Sequence, residues 1–507
     1  MAERLESGSQ SVVNTGADGL DAILHGGLVK NRMYLVEGDP GCGKTTLGLQ
    51  YLLAGVRNGE SGMLVALSET AEELDAIATE HGWSLDGVNV FELRPSEESL
   101  SVDARYTMFH PSEVELSETT KTLLTEADRI KPSRLVFDSL SELRLLAQNP
   151  LRYRRQILAL KEFFLRRNCS VLLLDDQAVG HADMQLRSMV HGVISLERRS
   201  PEYGVARRRL QIIKVRGWAF SEGYHDFLIK RGGLEVFPRL IAAEHGTVLA
   251  RDAVESGLAA LDSLLGGGLT RGTSTLITGP AGSGKSSIAA HYAVSSAGRD
   301  ECVSMFVFDE SVTTLTERCA GLGFDIRPLV KTGQLRLHQI DPAQMTAAQF
   351  SHVVRMEIEQ NKATLVVLDS LNGYMHSMPS ERLLTVHLHE LLTYLGQKGV
   401  TTILVMAQHG LVAASTEAPV DTSYLADTVI LTRFFETAGE VRQAISVIKK
   451  RTGRHERTIR ELKLSSEGIK IGEPLREFEG VLTGVPSYAG ASLRKSNRDG
   501  EKSTTSH

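Results

Sequence analysis

The chain has 507 residues, of which 42% are hydrophobic, 6% aromatic and 23% charged, a balance that excludes wholesale disorder, a collagen-like rod and a disulfide-stapled miniprotein. Lys and Arg number 56 against 62 Asp and Glu, a formal net charge of −6, so nothing in the bulk charge draws the chain to nucleic acid or to an anionic membrane. Cys42, Cys169, Cys302 and Cys319 form no C-x-x-C pair or zinc spacing, and no apolar leader or membrane-length run is present, so a cytoplasmic protein with reduced thiols is expected.

In chain order, short runs rich in Val, Ile and Leu alternate with amphipathic stretches. Met33–Glu37, Gly62–Leu67, Arg134–Phe137, Ser170–Asp175 and Gly192–Glu197 predict strands buried on both faces of a parallel sheet. Thr46–Val56, Ala71–His81 and Leu151–Arg167 predict helices between them. The strand pattern returns at Ser274–Thr278, Val303–Phe308, Thr364–Leu368, Thr401–Met406 and Thr428–Thr432. The halves are copies. Thr15-Gly16 with Asp21 matches Ser256-Gly257 with Asp262, Gly26-Gly27-Leu28 matches Gly267-Gly268-Leu269, and Gly38 and Glu69 match Gly279 and Glu310. All are 241 residues apart, and the spacing falls to 231 by Asp138 and Asp369. The predicted fold class is α/β, two tandem doubly wound, mainly parallel sheets flanked by helices. They would occupy residues 1–245 and 246–486, meeting near Leu240–Arg251, with a Ser-, Lys-, Gly- and Thr-rich tail over 487–507 expected to be disordered.

Two octets fit G-x-x-x-x-G-K-[ST], Gly38 to Thr45 and Gly279 to Ser286, each between a strand and a helix. Backbone N–H groups of Gly41, Cys42, Gly43, Lys44, Thr45 and Thr46, and of Gly282, Ser283, Gly284, Lys285, Ser286 and Ser287, would cradle the phosphates of ATP. Lys44 and Lys285 would reach the β- and γ-phosphates, and Thr45 and Ser286 would offer a hydroxyl to Mg²⁺. Asp138 and Asp369 end apolar strands and would share that Mg²⁺. Glu69, and the pair Asp309-Glu310, follow a further strand as candidate catalytic carboxylates, with helix capping as the alternative. Another strand ends in Asp176-Gln177 and in Ala407-Gln408, where an amide could sense the γ-phosphate or merely satisfy a loop. Lys214-x-Arg216 and Lys449-x-Arg451 have no acidic partners alongside, which suits insertion into a neighbouring subunit's site, the alternative being a solvated hairpin. Cys42 reads as a small filler rather than a redox sensor.

Together these residues resemble the RecA/DnaB-type P-loop ATPases, and most closely the double-domain KaiC family of circadian-clock ATPases and autokinases. The resemblance runs from about Ser11 to Pro486 and includes the segment Phe478 to Pro486. It implies RecA-like domains, a homo-hexamer of two stacked rings with ATP at the subunit interfaces, and regulatory protein partners. It further implies ATP hydrolysis in the N-terminal ring and autophosphorylation on Ser/Thr in the C-terminal ring. Ser423 matches the family's acceptor serine, and Tyr424 stands where the family has a threonine. His455 and Arg457 match residues that follow Lys-x-Arg in the second copy, whereas Trp218 and Phe220 replace their counterparts in the first. Two other readings stay open: a nucleotide-gated scaffold with little turnover, and a DNA-dependent motor using Arg198-Arg199 and Arg207-Arg208-Arg209. Against the motor stand the acidic balance and the lack of a basic tract with interleaved aromatics, so neither nucleic acid nor membrane is an expected partner.

Overall fold

The computed structural model describes residues 11–92, 111–147, 149–176, 184–200, 204–241, 252–375, 381–408, 424–437, 439–481 and 487–488. The chain divides into two compact units, Met1–Arg239 and Leu240–His507. In the first, the strands are β1 (Val12–Val13), β2 (Leu28–Val29), β3 (Met33–Gly38), β4 (Gly62–Ala66), β5 (Val88–Glu92), β6 (Arg134–Asp138), β7 (Ser170–Asp176), β8 (Gly192–Arg199), β9 (Arg207–Val215), β10 (His225–Lys230) and β11 (Gly233–Phe237). The helices are α1 (Asp18–Ile23), α2 (Lys44–Arg57), α3 (Ala71–Glu80), α4 (Pro111–Ile130), α5 (Leu140–Ala147), α6 (Pro150–Arg166) and α7 (Met184–Met189).

The second unit continues with strands β12 (Ala253–Val254), β13 (Leu269–Thr270), β14 (Ser274–Gly279), β15 (Val303–Val307), β16 (Leu335–Gln339), β17 (Leu365–Asp369), β18 (Thr401–Ala407), β19 (Thr428–Thr437), β20 (Glu440–Lys450), β21 (Arg460–Ser465), β22 (Gly468–Pro474), β23 (Phe478–Glu479) and β24 (Ser487–Tyr488). Its helices are α8 (Ala259–Leu264), α9 (Lys285–Ala297), α10 (Val312–Gly321), α11 (Arg327–Thr332), α12 (Ala347–Glu359), α13 (Leu371–Met375) and α14 (Glu381–Gln397).

Each unit is built on a nine-stranded sheet with the same order of equivalent strands: β5-β4-β6-β7-β3-β8-β9-β10-β11 in the first and β16-β15-β17-β18-β14-β19-β20-β21-β22 in the second. The six strands up to β8 or β19 are parallel; the remaining three add antiparallel hairpins at one side. The parallel part arises because its strands are apolar on both faces. Tyr34 and Val36 of β3 point into one core and Met33 and Leu35 into the other. Each fully buried side chain of this kind contributes about 1.5–3 kcal/mol. The antiparallel strands were legible only in part: β19 runs five residues past Thr432 because its pairing with β20 continues to Thr437 opposite Glu440.

The entry motif of each copy is structural. Asp21 Oδ1 accepts the Thr15 N–H at 2.8 Å, and Asp262 Oδ1 accepts the Ser256 N–H at 2.8 Å, folding the loop onto the first helix. At Gly16 a Cβ would stand 2.7 Å from the Gln50 carbonyl oxygen, so only glycine permits the approach. Two expectations about boundaries are modified. Leu240, placed by composition in the linker, packs in the second unit's core with Leu276 and Met406. Ser487–Tyr488, placed in a structureless tail, pair with Phe478–Glu479 as a two-residue ladder. Among the described residues no helix is long and apolar enough to cross a membrane.

Candidate functional site

In both units the glycine loop leaves the carboxyl end of a central parallel strand, β3 or β14, and enters a helix, α2 or α9. This is where α/β sheets bind ligands. Gly43 and Gly284 precede the helices in the left-handed region, φ +108° and +96°. Side chains from the antiparallel extension lie under them. A Cβ at Gly43 would meet Ile229 Cδ1 at 2.7 Å and one at Gly284 would meet Leu464 Cδ1 at 3.0 Å. Cys42 and Ser283 have no exposed surface. Ser283 Oγ donates to the Pro280 carbonyl and meets Thr432 Oγ1, both at 2.7 Å. These two residues therefore fill the space beneath the loop, and their own N–H groups donate to the Asp39 and Pro280 carbonyls at 3.2 and 3.3 Å. Burial pushes the Cys42 thiol up, as befits an inert filler.

In the second unit, Lys285 Nζ donates to the Pro280 carbonyl at 2.6 Å, and burial lowers its pKa to about 8. Ser286 Oγ donates to Asp369 Oδ1 at 3.0 Å. The other oxygen, Asp369 Oδ2, is buried with no hydrogen-bond partner. Burial raises the Asp369 carboxyl to about 6, against the pull of Ser286 and Arg318. In the first unit the Thr45 hydroxyl bonds the Asp138 carboxylate, whose Oδ2 is likewise buried and unpartnered. Leaving such an oxygen unpaired costs about 1–3 kcal/mol, so in each unit the carboxylate and the neighbouring hydroxyl are set to serve a cation or its water. Among the described residues no group of three or more His, Cys, Asp or Glu is arranged to hold a metal alone. One carboxylate and one hydroxyl, completed by phosphates and water, is the donor set Mg²⁺ takes.

The carboxylates after the second parallel strand do not cap the following helices. Thr70 caps α3, accepting the Glu73 N–H at 3.2 Å, and Ser311 caps α10, accepting the Thr314 N–H at 3.0 Å. Glu69 is thereby left over. Its Oε2 is buried without a partner, and burial, aided by the charge of Asp138, raises its pKa to about 7. Glu310 differs. It forms an ion pair with Arg318, whose Nη1 also donates to Ser287 Oγ at 3.2 Å. Asp309 accepts a hydrogen bond from Ser370 Oγ, whereas Ser68 in the matching place lies 3.5 Å from Ser139 Oγ. Lys285, Asp309, Glu310, Arg318 and Asp369 all line one cavity of about 600 Å³ in the second unit.

Other candidates lie elsewhere. Lys214 and Arg216 are at the far end of the sheet from their own P-loop, because Val215 pairs with Gly192 at the start of β8. Arg216 donates to the Ser188 carbonyl, and Lys214, half-buried, is shifted downward by desolvation and by Arg216 and Lys161. Lys449 and Arg451 are at the same end of the second sheet, where Val429 pairs with Lys449. Lys449 Nζ donates to the Ala426 carbonyl at 2.7 Å. The expectation that Arg451 has no acidic partner is corrected: its Nη1 lies 3.5 Å from Asp427 Oδ1, and Nη2 donates to the Tyr424 carbonyl at 2.7 Å. At about half exposure this pair is weak and breakable. His455 is half-buried and Arg457 exposed. Trp218 Nε1 donates to the Leu24 carbonyl at 2.6 Å, and Trp218 and Phe220 pack on the first core. Ser423 and Gln177 lie outside the described residues, while the Gln408 N–H is taken by the Gly279 carbonyl at 2.9 Å.

The arginine hairpin is β8–β9, with Arg198 opposite Arg208 and Arg199 opposite Arg207. Arg209 pairs with Glu197 at 2.7 Å and covers the Tyr224 ring at 3.7 Å. Arg198 Nη1 is 3.3 Å from where a Cβ on Gly41 would stand, so this hairpin faces its own P-loop. Sequence reasoning missed Arg318, and at the strand end Asp176-Gln177 it looked to the amide rather than to Asp176. Arg318 lies on α10, eight residues after Glu310, which precedes the helix's capping Ser311, so the pairing depends on the turn between them. Asp176 matches Ala407 at the repeat spacing of 231, a charge in one copy where the other is apolar.

A parallel sheet whose central strand opens into a phosphate-binding loop, with an acid two strands away aimed at the loop's hydroxyl, defines a RecA-like P-loop ATPase domain, here present twice. The sequence profile of the KaiC ATPase matches residues 13–241 and again 254–476. The chain belongs to the KaiC ATPase family. It is 27% identical over 494 residues to the circadian clock protein KaiC2 of Synechocystis sp., covering 96% of this chain and 85% of that protein. To the circadian clock oscillator protein KaiC of Nostoc sp. it is 24% identical over 486 residues, 94% of this chain and 92% of the other. The KaiC of Synechococcus elongatus gives the same identity and coverage.

Proposed function

We propose that both repeats bind ATP with Mg²⁺, that the chain hydrolyses ATP, and that the second repeat phosphorylates the chain's own Ser/Thr residues, Ser423 first among them. The observation that carries this reading is the buried, unpartnered oxygen of Asp138 and of Asp369 beside a P-loop hydroxyl. Mg²⁺, when bound, offsets charge on the β- and γ-phosphates. Lys44 leaves the Gly38 and Asp39 carbonyls, which it meets at 2.9 and 3.1 Å, and Lys285 leaves the Pro280 carbonyl, and both take up the phosphates. Glu69 serves as base for an attacking water in the first repeat, since its half-buried carboxyl accepts a proton near neutral pH. In the second repeat Asp309 and Glu310 face the acceptor hydroxyl, and Arg318 must yield Glu310 for proton transfer.

Lys214, Arg216, Lys449, Arg451, His455 and Arg457 act on the nucleotide of the adjacent subunit. For the two Lys-x-Arg pairs this follows because they stand at the opposite end of the sheet from their own P-loop. That requires a closed ring, a homo-hexamer on this reading, with ATP at its interfaces. The protein works in the cytoplasm and answers to regulatory protein partners.

Incubation with labelled ATP and Mg²⁺, followed by phosphosite mapping, tests the kinase reading. Ser423→Ala and Lys285→Ala are each expected to lower incorporation at least tenfold, a floor set below the roughly 100-fold or more that one positioned catalytic group supplies. Incorporation unchanged in both variants sinks it.

A further inference from the structure

Three carboxylates at or just beyond strand ends flank each P-loop, the third placed differently, and the first loop itself adds Asp39 where the second has Pro280. In the second repeat that third acid is Asp309, beyond β15, bonded to Ser370. In the first that position is Ser68, and the extra acid is Asp176, the last residue of β7, where β18 ends in Ala407. β7 lies between β3, which leads into the P-loop, and β6, which ends at Asp138. Asp176 is opposite Gly38 in the β3–β7 register. Its Oδ1 is 2.8 Å from Lys44 Nζ, and its Oδ2 accepts the Ser141 hydroxyl at 3.4 Å. Ser141 in turn bonds Ser139, the residue after Asp138. The lysine side chain is 8% exposed and the aspartate 42%, so the pair closes the dry end of the loop and opens toward the cleft. Lys285 lines one cavity with Ala407 in the second repeat and, among the described residues, has the Pro280 carbonyl and the more distant Asp369 to answer its charge, whereas Lys44 also donates to the Gly38 and Asp39 carbonyls at 2.9 and 3.1 Å.

We propose that Asp176 is a specificity-determining residue of the first-repeat site: a fixed negative charge on the γ-phosphate side of the loop that competes for Lys44 and shifts the site from nucleoside triphosphate toward nucleoside diphosphate. This rests on the nucleotide-binding reading above. The loop N–H groups hold the inner phosphates, and the lysine and metal carboxylate flank the outer one. A carboxylate between Lys44 and Asp138 therefore opposes the terminal phosphate more than the inner two. Binding a triphosphate must also pull Lys44 away from a charged partner, which the second repeat does not require.

The test uses the full chain carrying Lys285→Ala, so that only the first repeat binds, with fluorescent ATP and ADP analogues in Mg²⁺ buffer. Asp176→Asn keeps the shape and removes the charge; Asp176→Ala places there the residue that the second repeat has at Ala407. Both are expected to raise the preference for ATP over ADP about tenfold, the effect of one charge pair a few ångströms apart in a half-hydrated pocket. The converse change, Ala407→Asp on a Lys44→Ala chain, should lower the preference of the second repeat by a similar factor. Binding of both nucleotides with an unaltered ratio in the Asp176 variants overturns the inference, as does equal strengthening of ATP and ADP. If the Lys285→Ala chain binds neither nucleotide with or without Asp176, the nucleotide reading of the first repeat falls and the inference with it. The Ala407→Asp arm stands even where an Asp176 variant does not fold.

Discussion

Replacing Glu69 by Gln removes the group whose proton the first repeat is proposed to use. Raising this carboxyl from its ordinary 4.5 to about 7 corresponds to about 3.4 kcal/mol against the ionised form, at about 1.36 kcal/mol per pH unit. Glu69 is only about half-buried, so solvent screening reduces this to about 1–2 kcal/mol. The sign follows from proton counting. Between pH 4.5 and 7 the folded chain keeps a proton that the unfolded chain has released, so the stability of the first unit falls as pH rises through this window, and the penalty is complete above 7. Glu69→Gln should flatten that slope and raise the unfolding midpoint of the first unit by about 2–8 °C at pH 8, at roughly 2–4 °C per kcal/mol for a unit of this size. The same change should reduce ATP hydrolysis on a Lys285→Ala chain about 100-fold or more, the usual contribution of a general base. The wild-type rate should rise with pH through about 7 and the residual rate of the variant should not. Hydrolysis within threefold of wild type together with an unchanged pH profile would refute the assignment. A stabilised chain with normal hydrolysis would show that Glu69 is merely a strained buried acid.

Lys285, with its pKa lowered to about 8, loses its charge in the free protein as pH rises, so nucleotide affinity of the second repeat on a Lys44→Ala chain should fall about fivefold between pH 8 and pH 9. A flat affinity over that range, measured by equilibrium titration, contradicts it. Arg134 is 1% exposed, donates to the Asn14 and Tyr51 carbonyls at 2.7 and 2.9 Å, and pairs with Glu60. Arg134→Leu, which copies Leu365 of the second repeat, leaves those groups unsatisfied and should destabilise the first unit by about 3–5 kcal/mol in denaturant unfolding. A loss under about 1 kcal/mol would mean that water replaces the guanidinium.

Much of this protein was legible before any coordinates. A parallel strand must be apolar on both faces, and a phosphate loop must place glycine where the backbone turns left-handed, so Leu135 to Asp138 or Gly38 to Thr45 carry their meaning locally. Duplication then separates signal from chance, because Asp138 and Asp369 are each unremarkable alone. The antiparallel strands β9 to β11 were less legible. Their burial alternates against polar residues and depends on what their neighbours cover, as Ile229 beneath Gly43 illustrates.

By itself, the amino-acid sequence determined the two copies, the strand–helix alternation, both P-loops and the acids that face them, because each rests on a local pattern or on a repeat spacing. Only the tertiary structure decided which carboxylates are free. Arg318 occupies Glu310 while Glu69 stands alone, and Asp176 reaches Lys44 because β7 is inserted between β3 and β6. It also decided that Lys214 and Arg216 stand away from their own nucleotide loop. Whether a charge is available depends on the partners that sheet order and helix docking bring to it, and these come from parts of the chain far apart in sequence.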